Sequence, residues 1–274
     1  MKLLARYILH KLGLDIRKVS SSSMPNCAVR RDSLPGLLHQ ARSVGFRPGT
    51  VIDIGAAWGS FSKQCHDIFP DAQYVLVEPL EEYGAVLSKV VATIGRASRE
   101  TAVAASHSGT AVLNVHHDFV GSSLYTEVEE GTKIDGIPRE VPAVTLDSLI
   151  AKHHAAPPYL LKVDVQGAEL DVLAGGESTL EKAEYVLLEV SLFQFFNRGP
   201  LFHDVVTYMR NKGFVPYDMY ELQYRPLDYA LSQIDVAFVK EAGPFRRIHA
   251  YATAEQRAGQ NRRLAEYFRK LVPR

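Results

Sequence analysis

The chain has 274 residues, of which 46% are hydrophobic and 23% charged, with a formal net charge of zero. This is the balance of an ordinary globule and excludes collagen, coiled coil and wholesale disorder, and a chain this long buries roughly three quarters of its unfolded surface. The charge is uneven, +4 over residues 1–18 and +6 over 245–274, which leaves −10 between them and does not match a dedicated nucleic-acid binder.

The opening segment, MKLLARYILHKLGL, is broken by Arg6, His10 and Lys11. It does not fit a signal peptide and reads as an amphipathic helix packed on the domain or on a partner subunit. Contact with a membrane surface is the weaker alternative. No run of 18 apolar residues occurs, so no transmembrane helix is expected. Ser33 or Asp32 caps a helix that ends at Gly45. Thr50–Ile54 is a β-branched run closed by Gly55, the mark of a buried strand. A helix over Ser60–Phe69 puts Phe61, Cys65 and Phe69 on one face. Tyr74–Val77 is a second buried strand, and Leu80, Leu87, Val91 and Ile94 stripe the next helix. Thr101–Ala105 reads as a third strand.

From 110 to 144 the pattern changes to short strand-like runs around a polar stretch, an inserted β-hairpin region. Thr145 then caps a helix, Tyr159–Val165 is a fourth strand, and Tyr185–Val190 a fifth. A helix opens at Pro200, and strands Phe214–Tyr217 and Ile234–Val239 follow as an antiparallel pair at one sheet edge. Residues 251–273 have a basic, helical composition. Alternating strands and helices give an α/β fold with a mostly parallel sheet. The expected division is a helical extension over 1–30, one domain over 31–244 and a basic helical tail over 245–274. A homo-oligomer would form through the terminal helices. Cys27 and Cys65 are too few for a disulfide scaffold, and a cytoplasmic location follows.

The most informative segment is Val51-Ile52-Asp53-Ile54-Gly55-Ala56-Ala57-Trp58-Gly59-Ser60-Phe61. A buried strand delivers Asp53, Gly55 allows a sharp turn, and the next helix presents free N–H groups. Neither the dinucleotide fingerprint nor a P-loop is present. Glu78, at the end of the second strand, sits where a ribose is held in doubly wound sheets. An acidic residue at each strand end, with a glycine turn between, suits S-adenosylmethionine, with Asp53 near its amino acid end and Glu78 near its ribose.

A second motif, Lys162-Val163-Asp164-Val165-Gln166-Gly167-Ala168-Glu169, follows Thr145-Leu146-Asp147-Ser148-Leu149. Together with Asp53-Ile54-Gly55-Ala56 it resembles the FkbM family of S-adenosylmethionine-dependent methyltransferases, over about residues 45–240. The resemblance implies the class I methyltransferase (Rossmann-like) sandwich, a seven-stranded sheet with an antiparallel edge strand, and O-methyl transfer, often to sugars or natural products. Gln166 stands where the family usually has Glu, and Trp58 where many members have Asn.

The expected cofactor seat comprises Asp53, Gly55, Ala56, Ala57, Gly59, Ser60, Phe61, Glu78, Pro79, Ala105, Ser106 and Asp164. Asp164 and Glu189, each at a strand end, are the catalytic candidates; a Mg²⁺ held between them is the less favoured alternative, and no metal is expected. Lys162 shares a face with Asp164 and reads as its structural partner, or that of Glu189. Phe193, Gln194, Asn197 and Arg198, which mix apolar walls with polar tips, and Ser122 are the expected substrate residues, for a small molecule or saccharide. His116-His117 and His153-His154 are adjacent on the chain and point apart. Two other readings remain: a nicotinamide-dependent oxidoreductase, disfavoured by the missing fingerprint, and a scaffold that grips a partner through its basic termini.

Overall fold

The computed structural model describes residues 29–128 and 135–271. The helix expected over the opening segment lies outside them, as does Cys27. Helix α1 (Leu34–Ser43) begins as its sequence dictates: Ser33 Oγ accepts from Gly36 N, with a proline in the first turn. Then come β1 (Thr50–Ile54), α2 (Ser60–Ile68), β2 (Gln73–Val77), α3 (Gly84–Ile94) and β3 (Ala97–Glu100). A second group follows: β4 (Val103–Ala104), β5 (Gly109–Val115), β6 (Ile137–Val144) and α4 (Leu146–Lys152). The chain returns through β7 (Tyr159–Val163), α5 (Glu169–Ala174), α6 (Glu177–Lys182), β8 (Ala183–Ser191) and α7 (Phe202–Asn211), then β9 (Phe214–Tyr224), β10 (Leu231–Lys240) and α8 (Ala254–Leu271).

Seven strands form one sheet in the order β3-β2-β1-β7-β8-β10-β9. β7 is the central strand, and β1 beside it runs parallel to β7 and to β2, with every residue of β1 buried. That is why Val51, Ile52 and Ile54 do not alternate with exposed residues, and why the one charged side chain of β1, Asp53, is buried with them. β10 runs antiparallel to both neighbours, so a hairpin without a helix closes this side of the sheet. One face packs Leu37, Leu38, Cys65, Tyr74 and Tyr185 into a core. The other packs Ile52, Leu146, Leu161, Val186 and Met209. Each such side chain contributes about 1.5–3 kcal/mol by leaving water.

The inserted region forms a second sheet in the order β4-β6-β5, with its own apolar cluster of Leu80, Val103, Leu113, Val115, Val141 and Ala143. The third strand is placed differently from the sequence expectation. The main-sheet strand is Ala97–Glu100, and only Val103 and Ala104 of the expected stretch are extended, in the inserted sheet. β3 is an edge strand, so it needs no apolar run. Its polar side chains are anchored instead: His153, after α4, bridges Ser98 Oγ at 3.0 Å and Glu100 Oε1 at 2.7 Å. The short helix α6, absent from the sequence reading, is capped at long range by Asp147, whose carboxylate accepts from Ser178 N and Thr179 N. α8 begins with a reciprocal cap between Thr253 and Gln256 and buries none of its residues. Among the described residues, no helix is long and apolar enough to cross a membrane.

Candidate active site

The carboxyl ends of β1, β2, β7 and β8 converge on one cavity of about 700 Å³, within the range of small-molecule sites. Its floor is the turn after β1. Gly55 has a left-handed backbone (φ 75°), and a Cβ there would lie 1.9 Å from the Asp164 carbonyl oxygen. Only glycine lets the tips of β1 and β7 meet this closely. Gly55 N and Ala56 N both donate to Val77 O, which joins the turn to the end of β2.

Glu78 follows Val77 and lines the cavity. Ala57 N donates to its Oε2 at 2.8 Å and Leu80 N to its Oε1 at 3.0 Å. Burial raises its pKa against these two N–H groups. Trp58, Tyr83 and Phe119 form an aromatic row beside it, with ring centroids 6.3 Å and 6.2 Å apart.

Asp53 has no exposed surface. It lies behind the cavity wall, with Ser62 Oγ donating to Oδ2 at 2.7 Å and Lys162 Nζ 3.6 Å from Oδ1. Lys162 also donates to Gly55 O at 3.0 Å and lies 3.2 Å from Asp164 Oδ2. Burial opposes the charge on Lys162, but Asp164 and Asp53 together raise its pKa. For Asp53 burial wins over Lys162 and its pKa is raised, because the closest Lys162 contact is longer than a hydrogen bond. Lys162 is therefore the electrostatic hub of the strand tips, a larger part than its alternation with Asp164 suggests.

Asp164 and Glu189 both line the cavity. Gln166 Nε2 donates to Asp164 Oδ1 and to Glu189 Oε2, each at 3.0 Å. Gln223 Nε2 donates to Glu189 Oε1 at 2.9 Å and Gln233 Nε2 to Oε2 at 2.8 Å. Burial, Asp164 and Asp235 push Glu189 well up from its ordinary value, against the Gln223 bond. Asp235, beside it on β10, is raised to about 8 by burial, Asp164 and Glu221. Four non-glycine residues of the cavity, Ala57, Phe119, Gln166 and Glu221, have positive φ. Such backbone persists only where the surroundings hold it, and it gathers at functional sites.

Of the expected cofactor residues, Gly55, Ala56, Ala57, Ser60, Phe61, Glu78, Pro79 and Asp164 line the cavity. Gly59 faces helix α3 instead: a Cβ on it would meet Val90 at 3.0 Å. Ala105 and Ser106 lie off the lining, where Ser106 N donates to Asp171 Oδ2. Ser122 lines the roof, its Oγ accepting from His116 N. The other expected substrate residues lie elsewhere. Gln194 Nε2 donates to the Phe196 and Gly199 carbonyls. Asn197 Nδ2 donates to Thr126 Oγ1 and Glu127 O. Phe193 packs under the Arg225 guanidinium, 3.8 Å from the ring centroid, and Arg198 is exposed. Of these polar tips, the Asn197 amide fastens the segment after β8 to the insert.

Many of the lining residues that the sequence reading did not single out come from two places: Asp118, Phe119 and Val120 from the insert, and Tyr220, Glu221, Gln223, Gln233 and Asp235 from the β9–β10 hairpin. Leu34, Gln64 and Tyr83 join them from α1, α2 and the segment after β2. Gln233 and Asp235 stand two apart on one strand and so share a face. That spacing was the one available signal.

Glu169, the first residue of α5, does more than open that helix. It is buried, and its Oε1 accepts from Val165 N and Gly167 N, at 3.3 Å and 3.1 Å, so it shapes the Gln166 turn. Burial raises its pKa from 4.5 to about 7. The folded state then holds this proton more tightly than the unfolded chain does. Its contribution is complete below the ordinary carboxyl value and is lost as pH rises toward 7. Glu169→Gln is expected to flatten the fall in melting temperature between about pH 4.5 and 7; a slope equal to the native one would assign that fall to other groups.

A family model for the methyltransferase FkbM domain matches residues 50–216. Among solved structures, the chain is similar to a putative O-methyltransferase from Klebsiella pneumoniae, with 10% identity over 86% of this chain and 88% of that one, TM-score 0.45. It is similar to the O-methyltransferase TomG from Streptomyces achromogenes, solved with S-adenosylmethionine, with 12% identity over 87% and 88%, TM-score 0.44. It is also similar to a putative RNA methyltransferase from Pyrococcus horikoshii, with 15% identity over 74% and 81%, TM-score 0.43. No curated protein sequence matches the chain. The family match spans more than half of the sequence and takes in the β1 turn, the inserted sheet and the Lys162–Glu169 segment; the chain belongs to the FkbM family of S-adenosylmethionine-dependent methyltransferases.

Proposed function

We propose that the cavity seats S-adenosylmethionine across the tips of β1 and β2, and that the protein methylates a hydroxyl of an uncharged small molecule, a sugar or a glycan or natural-product precursor. The observation that carries this reading is Asp164: its carboxylate lines the cavity, fixed on one oxygen by Lys162 and on the other by Gln166.

The residues present suit the cofactor. Glu78 offers carboxylate oxygens to a pair of ribose hydroxyls, and Leu80, Val103, Leu113 and the Tyr83 ring give an apolar slot for a base. Among the described residues, six acidic side chains line the cavity against one cation, Lys162; even with Glu189 and Asp235 protonated, acidic groups outnumber it, which favours a cationic sulfonium. The bound cofactor supplies a methyl group that is already electrophilic. The chain aligns the acceptor and removes its proton, and alignment alone is worth several kcal/mol. Asp164 accepts the hydroxyl proton, and Glu189 orients the acceptor through a second hydrogen bond. Asp53 acts from behind, through Lys162 and Ser62. The same excess of carboxylates opposes a phosphorylated acceptor and supports a neutral one over nucleic acid. In this reading residues 31–244 are the catalytic domain of a cytoplasmic enzyme, and the two termini are extensions through which copies associate.

The test is transfer from labelled S-adenosylmethionine into a panel of saccharides, small metabolites and RNA, with the product read by mass spectrometry. A methyl ether on a neutral acceptor is expected. Label on nitrogen or on RNA would overturn the acceptor assignment. Independently, Glu78→Ala is expected to weaken binding of S-adenosylhomocysteine about 10- to 100-fold, because hydrogen bonds to a charged group are worth about 1.5–3 kcal/mol each. Calorimetry measures this, and native affinity in the variant would move the ribose elsewhere.

A further inference from the structure

Glu189 is a largely buried carboxylate met by three glutamine amides. Gln223 reaches one oxygen, and Gln233 and Gln166 the other. These amides come from β9, from β10 and from the turn after β7, so three separate elements aim at one side chain. The Gln166 nitrogen has a second task, since its other N–H goes to Asp164 Oδ1. One neutral group thus spans two carboxylates of like charge. A lysine there would neutralise one of them, and a glutamate would add a fourth acidic side chain beside Asp164, Glu189 and Asp235.

The turn that carries Gln166 is itself braced. Its backbone is left-handed, φ 55°, and its carbonyl accepts from Ser123 Oγ at 2.6 Å. Ser123 is buried and belongs to the insert, and its Oγ also accepts from Tyr125 N. From below, Glu169 holds the N–H groups of Val165 and Gly167. The conformation therefore serves the two contacts of the side chain and is not a relaxed turn.

We propose that Gln166, Gln223 and Gln233 are positioning residues for methyl transfer, which turn the Glu189 carboxylate toward Asp164 and the acceptor, with Gln166 as the link between the two carboxylates. The proposal rests on the acceptor reading given above. The groups that bear on Glu189 are Asp164 from β7, Asp235 from β10 and Glu169 from α5. Lys162 faces Asp164 and Asp235, and Glu221 on β9 faces Asp235. All but Lys162 are acidic and push the Glu189 titration up, and the donated N–H groups act against them.

The test needs no acceptor. Carboxyl-carbon NMR follows the titration of Glu189 in the full chain, with its signal assigned by its loss in Glu189→Gln. In Gln166→Leu, which keeps the bulk and removes the donors, the midpoint is expected to rise by about one pH unit or more. Gln166→Met is the second variant should the first fold poorly. Gln166→Glu is expected to raise the midpoint further through the added charge. A Glu189 midpoint within about 0.2 pH units of native in both neutral variants would overturn the proposal, because a merely structural glutamine lowers the melting temperature without moving that titration. Calorimetry with S-adenosylhomocysteine on the same proteins separates the two claims. Native affinity with a moved Glu189 supports the proposal. Affinity lost in Gln166→Leu places this side chain at the cofactor and overturns it, and no affinity in the native chain defeats the cofactor seat itself.

Discussion

Replacing Asp164 with asparagine is expected to lower the turnover number about 10²- to 10⁴-fold, the usual contribution of a general base. The substitution keeps the shape of the side chain, so the acceptor can still dock. Asparagine cannot take the hydroxyl proton, and an alcohol is a weak nucleophile while it keeps that proton. Lys162 would lose one of the two carboxylates within 4 Å of it, while its bond to Gly55 O and the two bonds to Glu78 do not involve the altered side chain. S-adenosylhomocysteine affinity by calorimetry should therefore stay within about threefold of native, well under the 1.4 kcal/mol that a tenfold change represents. Single-turnover methyl transfer to the acceptor measures the chemical step. Native single-turnover rates in the variant would remove Asp164 from proton transfer and leave it as a support for Lys162.

Replacing Lys162 with methionine is expected to destabilise the fold by about 3–5 kcal/mol, the cost of stranding one member of a buried ion pair. The reason is Asp53. It has no exposed surface, Ser62 supplies its one close hydrogen bond, and the charge of Lys162 is what compensates it. For a chain of this size the loss corresponds to a fall in melting temperature on the order of 10 °C. Asp53→Asn added to the methionine variant should recover a large part of that fall, since it removes the uncompensated charge. Scanning calorimetry on the two single variants and the double variant reads the coupling. A methionine variant melting within about 2 °C of native would show that Asp53 is carried without its partner.

The sequence disclosed the frame and the floor of the site, and the chemistry explains why it stopped there. Strands buried on both faces are mostly apolar, so β1, β2, β7 and β8 stand out as runs that few charged residues break, Asp53 and Lys162 among them, and the turn after β1 requires its glycine. Edge strands are free of that demand, so β3, with the sequence Ala-Ser-Arg-Glu, left no trace. The roof and the far wall are local in space but remote in sequence. Phe119 and Gln223 reach the cavity through strand pairing that no short pattern encodes. The substrate expectation for Phe193, Gln194 and Asn197 rested on composition. Composition does not separate a hydrogen bond offered to a ligand from one spent on a neighbouring carbonyl, and here the amides are spent. Gln166 looked like a lost charge and proved to be a shared donor.

The cavity is bounded below by the tips of the parallel sheet and above by a small sheet with a separate apolar cluster. Ceiling and foundation thus draw on different sets of packed side chains. Substitutions at the tip of the ceiling, Asp118 to Ser122, leave the foundation's packing untouched, so a lineage can retune which molecule it modifies, while Leu113 of the same small sheet stays apolar to keep the base slot. Exchange of the 118–122 tip between relatives is the natural way to swap one preference for another.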